Sequence, residues 1–219
     1  MNGVQAKNER CSKFGVLTLR HKTNTKRDAL RTRLIEAAEE EIAALGLSGL
    51  KARRVTQKAG CALGALYNAV SDLDGLIILV NSKTIQRLGA QLDAAARDAD
   101  TPAATLQALA ATYVTFAISE HNLWFAAFNH RLPDGQDLPD WHQGEYLDLI
   151  KHLAQPLTDL LPTLDAEAIG LRAQTLFASV HGVVQLSLNG QFVGTPLETL
   201  PREVSNLVEA VTIGLNAHR

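Results

Sequence analysis

The stretch VTQKAGCALGALYNAVSDLDGL, residues 55–76, places two short helical segments on either side of Gly60. Apolar residues at three- and four-residue steps predict helices over about residues 52–59 and 62–69. Gly60 supplies the turn between them, because glycine adopts a left-handed backbone without steric cost. Two helices this short need a third helix to support them. The pattern therefore predicts a helix-turn-helix.

Longer helices are predicted on both sides of this motif. The helix before it begins near Lys26 and ends at Gly46, which acts as a C-terminal cap. Its apolar stripe consists of Leu30, Leu34, Ile35, Ala38, Ile42 and Leu45. The helix after the motif begins with Ser71 as its cap and Asp74 in its first turn, and it runs to about Arg97.

The rest of the chain also has a helical pattern, and no strand-like alternation persists. The predicted elements are a helix opened by Thr101-Pro102, a short aromatic segment over residues 121–129, a loop over 131–140, a helix over 141–161 bent at Pro156, a helix opened by Asp165 and ending at Gly190, and a last helix introduced by Pro196 or Pro201. The predicted fold class is all-α. We expect a flexible basic arm over residues 1–25, a helix-turn-helix domain over 26–71 and a helical domain over 72–219.

The charge is unevenly distributed along the chain. Residues 1–60 hold 13 of the 21 Lys and Arg but 6 of the 23 Asp and Glu, which gives +7 against −9 for the remainder. A basic front on an acidic body is typical of a protein whose first third meets a polyanion. A basic tail without a partner is the alternative, and charge alone does not decide between them.

Residues 26–76 resemble the DNA-binding domain of the tetracycline-repressor (TetR/AcrR) family of bacterial regulators. The matching residues are Arg53, Val55, Ala59-Gly60, Gly64, Leu66-Tyr67 and Leu76. The sequence GALYN at residues 64–68, together with His181-Gly182, resembles a subgroup with a Trp-His-Gly signature in its C-terminal domain. This chain departs from the family at Ala62, Ala65, Ala69-Val70 and Leu73, where hydroxyl, aromatic or lysine side chains are usual. These losses bear on affinity and operator choice.

The resemblance implies that the second short helix enters the major groove of double-stranded DNA. The candidate DNA-binding residues are Arg53, Arg54, Lys58, Ala62, Leu63, Ala65, Tyr67 and Asn68. The three cations are phosphate anchors or simply solvated, and Tyr67 donates to a phosphate or packs half-buried. Asn68 can reach a phosphate or an adenine edge, while the alanines and Leu63 can meet thymine methyl groups. Leu63 can alternatively pack on the first helix.

The resemblance further implies a ligand cavity and a dimer interface in the C-terminal helices. Candidate ligand-binding residues are Tyr113, Phe116, Trp124, Phe125, Phe128, His181 and Gln185. The aromatic side chains can line a largely apolar pocket, in which His181 anchors a small-molecule effector. Ordinary core packing and a satisfied core histidine are the alternatives.

The last two helices carry apolar and small residues that favour a homodimer. The last helix repeats Leu200, Val204, Leu207, Val208, Val211 and Leu215, and the helix before it offers Leu171, Thr175, Ala178 and Gly182. A monomer that uses these faces for its own core is the alternative.

Other classes of site find little support in the sequence. His142 and Glu145 lie three apart on a helix, but no companion metal ligands stand at a convincing spacing. We find no nucleophile elbow and no phosphate-cradling glycine loop, so we expect neither an enzyme nor a cofactor. Two cysteines, Cys11 and Cys61, and the absence of a long apolar run indicate a cytoplasmic protein without a membrane partner.

The function that these patterns favour is a ligand-responsive transcriptional regulator, most simply a repressor. An apolar or aromatic effector would release it from its DNA operator. The alternative is a helical protein-interaction module that kept the fold and lost operator binding. The substitutions at Ala62 and Ala65 permit that alternative.

Overall fold

The computed structural model of the chain describes the backbone of residues 9–133, 136–190 and 192–217, and the side chains of residues 26–215 within these ranges. Every regular element among these residues is a helix, which confirms the all-α fold class. The elements are α1 (Glu9–Leu45), a short 3-10 helix (Leu47–Gly49), α2 (Ala52–Lys58), α3 (Leu63–Val70), α4 (Leu73–Arg97), α5 (Pro102–Ser119), α6 (His121–Asn129), α7 (Asp140–Lys151), α8 (Ala154–Leu160), α9 (Ala166–Leu188) and α10 (Leu200–Ala217).

Within the described residues, no helix alone has the length and hydropathy needed to cross a membrane. The bent pair α3 and α4 meets that requirement together, on length and composition only.

The helix-turn-helix forms as the sequence predicts. Gly60 takes a φ of 67° between α2 and α3, and Gly46 takes a φ of 71° after α1. Both short helices pack on α1, and α3 also packs on α4. The small core between them includes Leu34, Ala38, Ile42, Val55, Leu66, Leu76 and Val80, all fully buried. We call this the front core.

Helix α1 begins at Glu9 rather than near Lys26. A helix satisfies its backbone hydrogen bonds internally, and residues 9–25 contain no proline to interrupt it. The side chains of residues 1–25 lie outside the described residues, and so do the basic groups of the expected arm.

The cap of α4 is Asp72 and not Ser71. The Asp72 carboxylate accepts a hydrogen bond of 2.6 Å from the amide of Gly75. Ser71 has a φ of 67°, whereas a capping residue needs an extended backbone like that of Asp72. Asp74 lies in the first turn of α4, as predicted.

The single bent helix predicted over residues 141–161 is wrong, because the chain forms α7 and α8 with a break at His152 and Leu153. Pro156 has no amide hydrogen to donate to the carbonyl of residue 152, and its ring clashes with that carbonyl. The helix therefore breaks one turn before the proline. The predicted caps at Thr101 and Asp165 are both confirmed, by hydrogen bonds of 3.1 and 2.9 Å.

A second, larger core, which we call the rear core, consists of buried residues from every helix from α4 to α10. Leu200, Val204 and Val208 of α10 are fully buried in it against the protein's own α5. For these three residues, the prediction of a dimer seam is wrong. Because these side chains cover α5, they have almost no exposed surface that a partner subunit could contact.

Helix α6 belongs to both cores. Leu123 and Ala126 pack in the front core, whereas Trp124 and Ala127 pack in the rear core. At the start of this helix, the Asn122 amide donates to the carbonyl of Ala43 in α1 at 2.8 Å. Helix α6 therefore contacts both the rear core and the helix that supports the helix-turn-helix.

Candidate functional site

Helix α3 presents an exposed face without a charged side chain. Ala62, which caps the helix, and Leu63, Tyr67 and Asn68 are exposed, and Ala65 is half-buried. Gly64 lies on the same face, where a Cβ atom would meet no neighbour within 4 Å. Leu63 is 37% exposed, so part of its side chain is accessible at the start of this face. The face is thus apolar at its start and polar at Tyr67 and Asn68.

The three predicted cations all lie on the exposed side of α2, but two of them already have partners. Arg54 Nε lies 2.7 Å from the Glu41 carboxylate, and Lys58 Nζ lies 2.6 Å from that of Glu40. The hydrogen bond that the Lys58 ammonium donates to the Glu40 carboxylate raises the pKa of Lys58. Among the described residues, Arg53 has no acidic partner. Of the three predicted phosphate anchors, Arg53 is therefore the one whose charge is not already paired within the described residues.

A second group of charges fastens α1 to α4. The Glu39 carboxylate accepts hydrogen bonds from Arg87, at 2.7 Å, and from Lys83. Burial opposes the charged form, but the bonds from Arg87 and Lys83 outweigh it and hold the pKa of the Glu39 carboxyl below its usual value. This contact could not be predicted from the sequence pattern, because Lys83 and Arg87 lie 44 and 48 residues from Glu39 along the chain.

Four of the predicted ligand-binding residues, Tyr113, Trp124, His181 and Gln185, form one hydrogen-bonded chain with Asn129, which we call the relay. Trp124 Nε1 donates to the Tyr113 hydroxyl at 3.0 Å, and that hydroxyl lies 2.6 Å from His181 Nδ1. His181 Nε2 lies 2.7 Å from Gln185 Oε1. The Gln185 amide donates to Asn129 Oδ1 at 2.8 Å. Both ring nitrogens of His181 therefore have protein partners.

The relay allows one arrangement of hydrogens for a neutral His181. Gln185 Oε1 can only accept, so the ring donates from Nε2. Nδ1 then accepts from the Tyr113 hydroxyl, which itself accepts from the indole of Trp124. Burial lowers the pKa of His181 against a smaller opposing effect of the bond to Gln185, and burial raises the pKa of Tyr113.

Aromatic rings enclose the relay. The Phe128 and His181 ring centres lie 4.9 Å apart, and Phe177 stacks on His181 at 5.6 Å. Trp124 and Phe116 are fully buried within the core. Both side chains are therefore packed as ordinary core aromatics, which is the alternative given above for the predicted ligand-binding residues.

An apolar cavity adjoins the relay between α4, α5, α7 and α9. Its lining includes Leu92, Leu106, Leu109, Ala110, Tyr113, Leu153, Leu176, Phe177, Val180 and Val208. The free space in it is about 40 Å³. Of the predicted ligand-binding residues, only Tyr113 lines this cavity. Phe125 lies instead at a surface depression beside Gly46.

His142 and Glu145 are paired with each other and with α4. His142 is fully buried and its Nδ1 lies 2.7 Å from Glu145 Oε2, while Glu145 Oε1 accepts from Ser82 and Gln86. Burial disfavours the charged carboxyl, but bonds from Ser82, His142 and Gln86 hold the pKa of Glu145 below its usual value. No cluster of three metal-ligating side chains exists in the described part of the chain. The pair is a structural tie between α7 and α4.

Residues 106–211 match the family model described as "Tetracyclin repressor-like, C-terminal domain". Over these residues, the chain is a tetracycline-repressor-like (TetR) C-terminal domain. The Trp-His-Gly subgroup stays a prediction. No curated protein matches the chain.

Several solved structures, among them transcriptional regulators, have the same fold over most of this chain. The regulator FadR from Bacillus subtilis in complex with stearoyl-CoA has 18% identity and a TM-score of 0.64, and the alignment covers 81% of this chain and 96% of FadR. A TetR regulator from Rhodococcus sp. RHA1 has 18% identity, a TM-score of 0.59 and coverage of 85% and 97%. RolR in complex with resorcinol has 18% identity, a TM-score of 0.63 and coverage of 90% and 97%. The chain thus has the helical fold of a DNA-binding, ligand-responsive transcriptional regulator.

Proposed function

We propose that this TetR-family protein is a homodimeric repressor, without enzymatic activity, that leaves its operator when a small apolar or aromatic molecule enters the rear core. The proposal rests on one observation: helix α6 contributes buried residues to both the front core and the rear core. A ligand that expands the rear core must displace α6, and α6 is bonded to α1 through Asn122 and Ala43. Effector and operator would then compete through one shared helix.

The DNA-facing part of the proposal is supported by the surface of α2 and α3. In a helix-turn-helix, the second helix lies in the major groove and the flanking groups hold the phosphates. Tyr67 and Asn68 stand exposed on α3, and Arg53 stands exposed on α2. Two copies placed about 34 Å apart would read a near-palindromic operator.

The effector part is supported by the chemistry of the apolar cavity and limited by its size. A drug-sized ligand needs roughly 300–1,000 Å³, whereas this cavity has about 40 Å³ of free space. Ligand entry therefore requires α5 and α9 to separate. Two structural neighbours were solved with ligands, stearoyl-CoA in FadR and resorcinol in RolR. We propose an uncharged or long apolar ligand group for this chain's cavity.

The dimer part is supported by an exposed stripe on α9. Leu171, Thr175 and Ala178 are exposed, and a Cβ atom on Gly182 would meet nothing within 4 Å. Leu171 is 61% exposed at one end of this stripe. Close approach of two α9 helices would cover this stripe.

Selection of genomic fragments with the purified protein, followed by anisotropy titration of the enriched sequence, tests the proposal. We expect a near-palindrome bound with a strong salt dependence, since phosphate contacts release counterions. Fragments without a shared sequence, or binding without salt dependence, would instead support the protein-interaction module. Tyr67→Ala is the matched loss-of-contact variant, and Tyr146→Phe, which leaves α3 unchanged, is the control.

The effector is tested by blocking the cavity. Ala110→Leu adds three carbons to the cavity wall, where about 40 Å³ is free. We expect the variant to bind the operator and to resist release by apolar compounds that release the wild type. Release of both proteins at the same ligand concentration would place the effector elsewhere.

A further inference from the structure

The chain between α9 and α10 carries an exposed apolar patch, which we call the loop patch. It consists of Phe192, Val193 and Leu197, and the ring of Phe192 is fully exposed. Apolar residues that are exposed singly are normal on a protein surface, whereas a group of large ones marks an interaction site. The loop patch therefore indicates a contact with another molecule.

The backbone that carries this patch is packed on α9. The Thr195 amide donates to the Ser187 hydroxyl at 3.0 Å. A Cβ atom on Gly194 would lie 2.6 Å from the carbonyl oxygen of Leu186, so the chain passes directly over the last turn of α9 at this glycine. The loop patch is thus presented by a segment that is tied to the helix.

A shallow apolar groove, which we call the α9 groove, lies at the other end of the same helix. The end of α8, the first half of α9 and the end of α10 enclose about 390 Å³ of free space there. Its apolar lining includes Leu157, Leu161, Leu164, Leu176, Val211 and Leu215. Thr175 belongs both to this groove and to the exposed stripe on α9. The groove is therefore continuous with the face on which two subunits are proposed to meet.

The helical register places the loop patch of one subunit at the α9 groove of another. The exposed stripe continues at a helical step to Leu186, so it runs from Leu171 to Leu186 with its midpoint between residues 178 and 179. In an antiparallel pair that crosses at this midpoint, residue 192 lies opposite residue 165, because the two are equally far from the midpoint. A crossing angle of about 20°, as in helical bundles, keeps these ends close together. Residue 165 directly follows Leu164 of the groove.

Charge favours the same antiparallel arrangement. Arg172 lines the α9 groove, and Glu198 follows the loop patch. Both side chains are exposed, and neither has an ion pair in the part of the chain that the structure describes. They lie at opposite ends of α9, so an antiparallel pair of helices brings the cation of one subunit to the same end as the carboxylate of the other.

We propose that Phe192 of each subunit inserts into the α9 groove of its partner, with Glu198 facing the partner's Arg172. This inference rests on the homodimer proposed above and adds the contact that sets the register of its two α9 helices. The insertion occurs at both ends of the helix pair. It therefore fixes the angle between the subunits, on which the distance between the two α3 helices depends.

Cross-linking of paired cysteines tests this contact in the full chain. In a background with Cys11→Ser and Cys61→Ser, the variant Phe192→Cys/Thr163→Cys is treated with a short bismaleimide. Helix α9 has 23 residues and is about 35 Å long, so the two cysteines of one subunit are too far apart for the reagent. A cross-link must join two subunits, and we expect a covalent dimer. Each single-cysteine variant should stay monomeric on a denaturing gel, since the two copies of either residue lie at opposite ends of the helix pair.

Two further variants separate this contact from the dimer itself. Ala178→Cys lies at the midpoint of the stripe, so it should cross-link to its own copy wherever two α9 helices meet there. Phe192→Cys/Ala94→Cys, whose second cysteine lies on the exposed surface of α4, should not cross-link. Cross-linking of Ala178→Cys without that of Phe192→Cys/Thr163→Cys would overturn the insertion and leave the homodimer standing. Absence of both cross-links would overturn both proposals.

Sedimentation measures how much the contact contributes. Phe192→Ser should raise the dissociation constant of the dimer by at least about 100-fold, because two phenyl groups lose their buried position. Leu147→Ser, at an exposed leucine of α7, is the matched control and should leave the constant unchanged. If Phe192→Ser also leaves it unchanged, the loop patch serves a different protein and the insertion is wrong.

Discussion

The Tyr113 hydroxyl lies 2.6 Å from His181 Nδ1, and this contact joins α5 to α9 across 68 residues of sequence. Because Trp124 donates to the same hydroxyl and Gln185 accepts at the other ring nitrogen, His181 has no free hydrogen-bonding group. A ligand could reach His181 only by replacing one of these partners. The geometry fits a satisfied core histidine better than an effector anchor.

The first prediction is that His181→Leu destabilises the protein. The change leaves the hydrogen of the buried Tyr113 hydroxyl and the Gln185 carbonyl without a partner, and at about 1–3 kcal/mol each the two together cost about 2–6 kcal/mol. Urea unfolding should show a loss in this range. His121→Leu, at an exposed histidine, should change stability by less than about 0.5 kcal/mol. Unchanged unfolding together with a weakened effector response would restore His181 as a ligand contact.

The second prediction concerns pH. Burial lowers the pKa of His181 and of His130 below the ordinary 6.5. Below pH 6.5 the unfolded chain takes up protons that the folded protein does not, so the free energy of unfolding falls as the pH drops through that value. The unfolding temperature should decrease between about pH 7.5 and about pH 5.5. The pKa values of the Glu39 and Glu145 carboxyls are held below the ordinary 4.5. The stability that these two groups contribute is therefore lost only as the pH falls below that value.

The control for this pH dependence is His181→Asn, which cannot titrate. The variant should lose part of the decrease between the two pH values and keep the part due to His130. An unfolding temperature that is flat in the wild type over this range would contradict the burial of neutral imidazoles.

The helices could be predicted from the sequence because their boundaries are set locally. Gly60, Thr101 and Asp165 act on backbone groups within a few residues, and the structure confirms all three. The break before Pro156 also has a local cause, but the sequence pattern was interpreted as a bend. Local rules specify where a helix can end more reliably than how far the chain turns there.

The contacts that define the candidate sites could not be predicted in this way. The apolar spacing of Val204 and Val208 is the same whether α10 covers its own α5 or a partner, and only the three-dimensional packing decides. The pairs Arg87–Glu39 and Gln86–Glu145 join residues 48 and 59 apart. A single sequence carries no periodic signal for such partners.

The third prediction separates two neighbouring arginines. Arg53→Ala should reduce the slope of log affinity against log salt by about one, because a free phosphate contact is lost. Arg54→Ala should change that slope less, since Arg54 is already paired with Glu41. It should instead destabilise the fold, because Glu41, 7% exposed, loses its closest cation. Anisotropy titrations at several salt concentrations and urea unfolding measure the two effects.

The fourth prediction concerns the dimer. Ala178→Arg places a long charged side chain in the exposed small-residue stripe of α9, so it should prevent close approach of two α9 helices without disturbing the fold. Sedimentation should show monomers, and operator affinity should fall because two half-site contacts are no longer linked. Ala94→Arg, at an exposed alanine of α4, is the matched control. A dimeric Ala178→Arg variant would place the interface on another surface.

The fifth prediction concerns how α3 reads its operator. This helix has no Lys or Arg, the side chains that most often recognise guanine, and its exposed start carries Ala62 and Leu63. Apolar side chains in the major groove recognise the methyl group of thymine, and Asn68 can pair with adenine. We therefore expect an operator whose half-site centres are rich in A·T pairs.

Deoxyuridine in place of thymidine removes one methyl group and leaves base pairing intact, so it tests this contact atom by atom. Substitution at the thymine that Leu63 meets should weaken the wild type by about 1 kcal/mol, the value of roughly one buried methyl or methylene group. Leu63→Ala should bind the two operators with nearly equal affinity, because the apolar contact is already gone. If every thymine of the half-site can be replaced without effect on the wild type, α3 does not read methyl groups, and Asn68 and Tyr67 must supply the specificity.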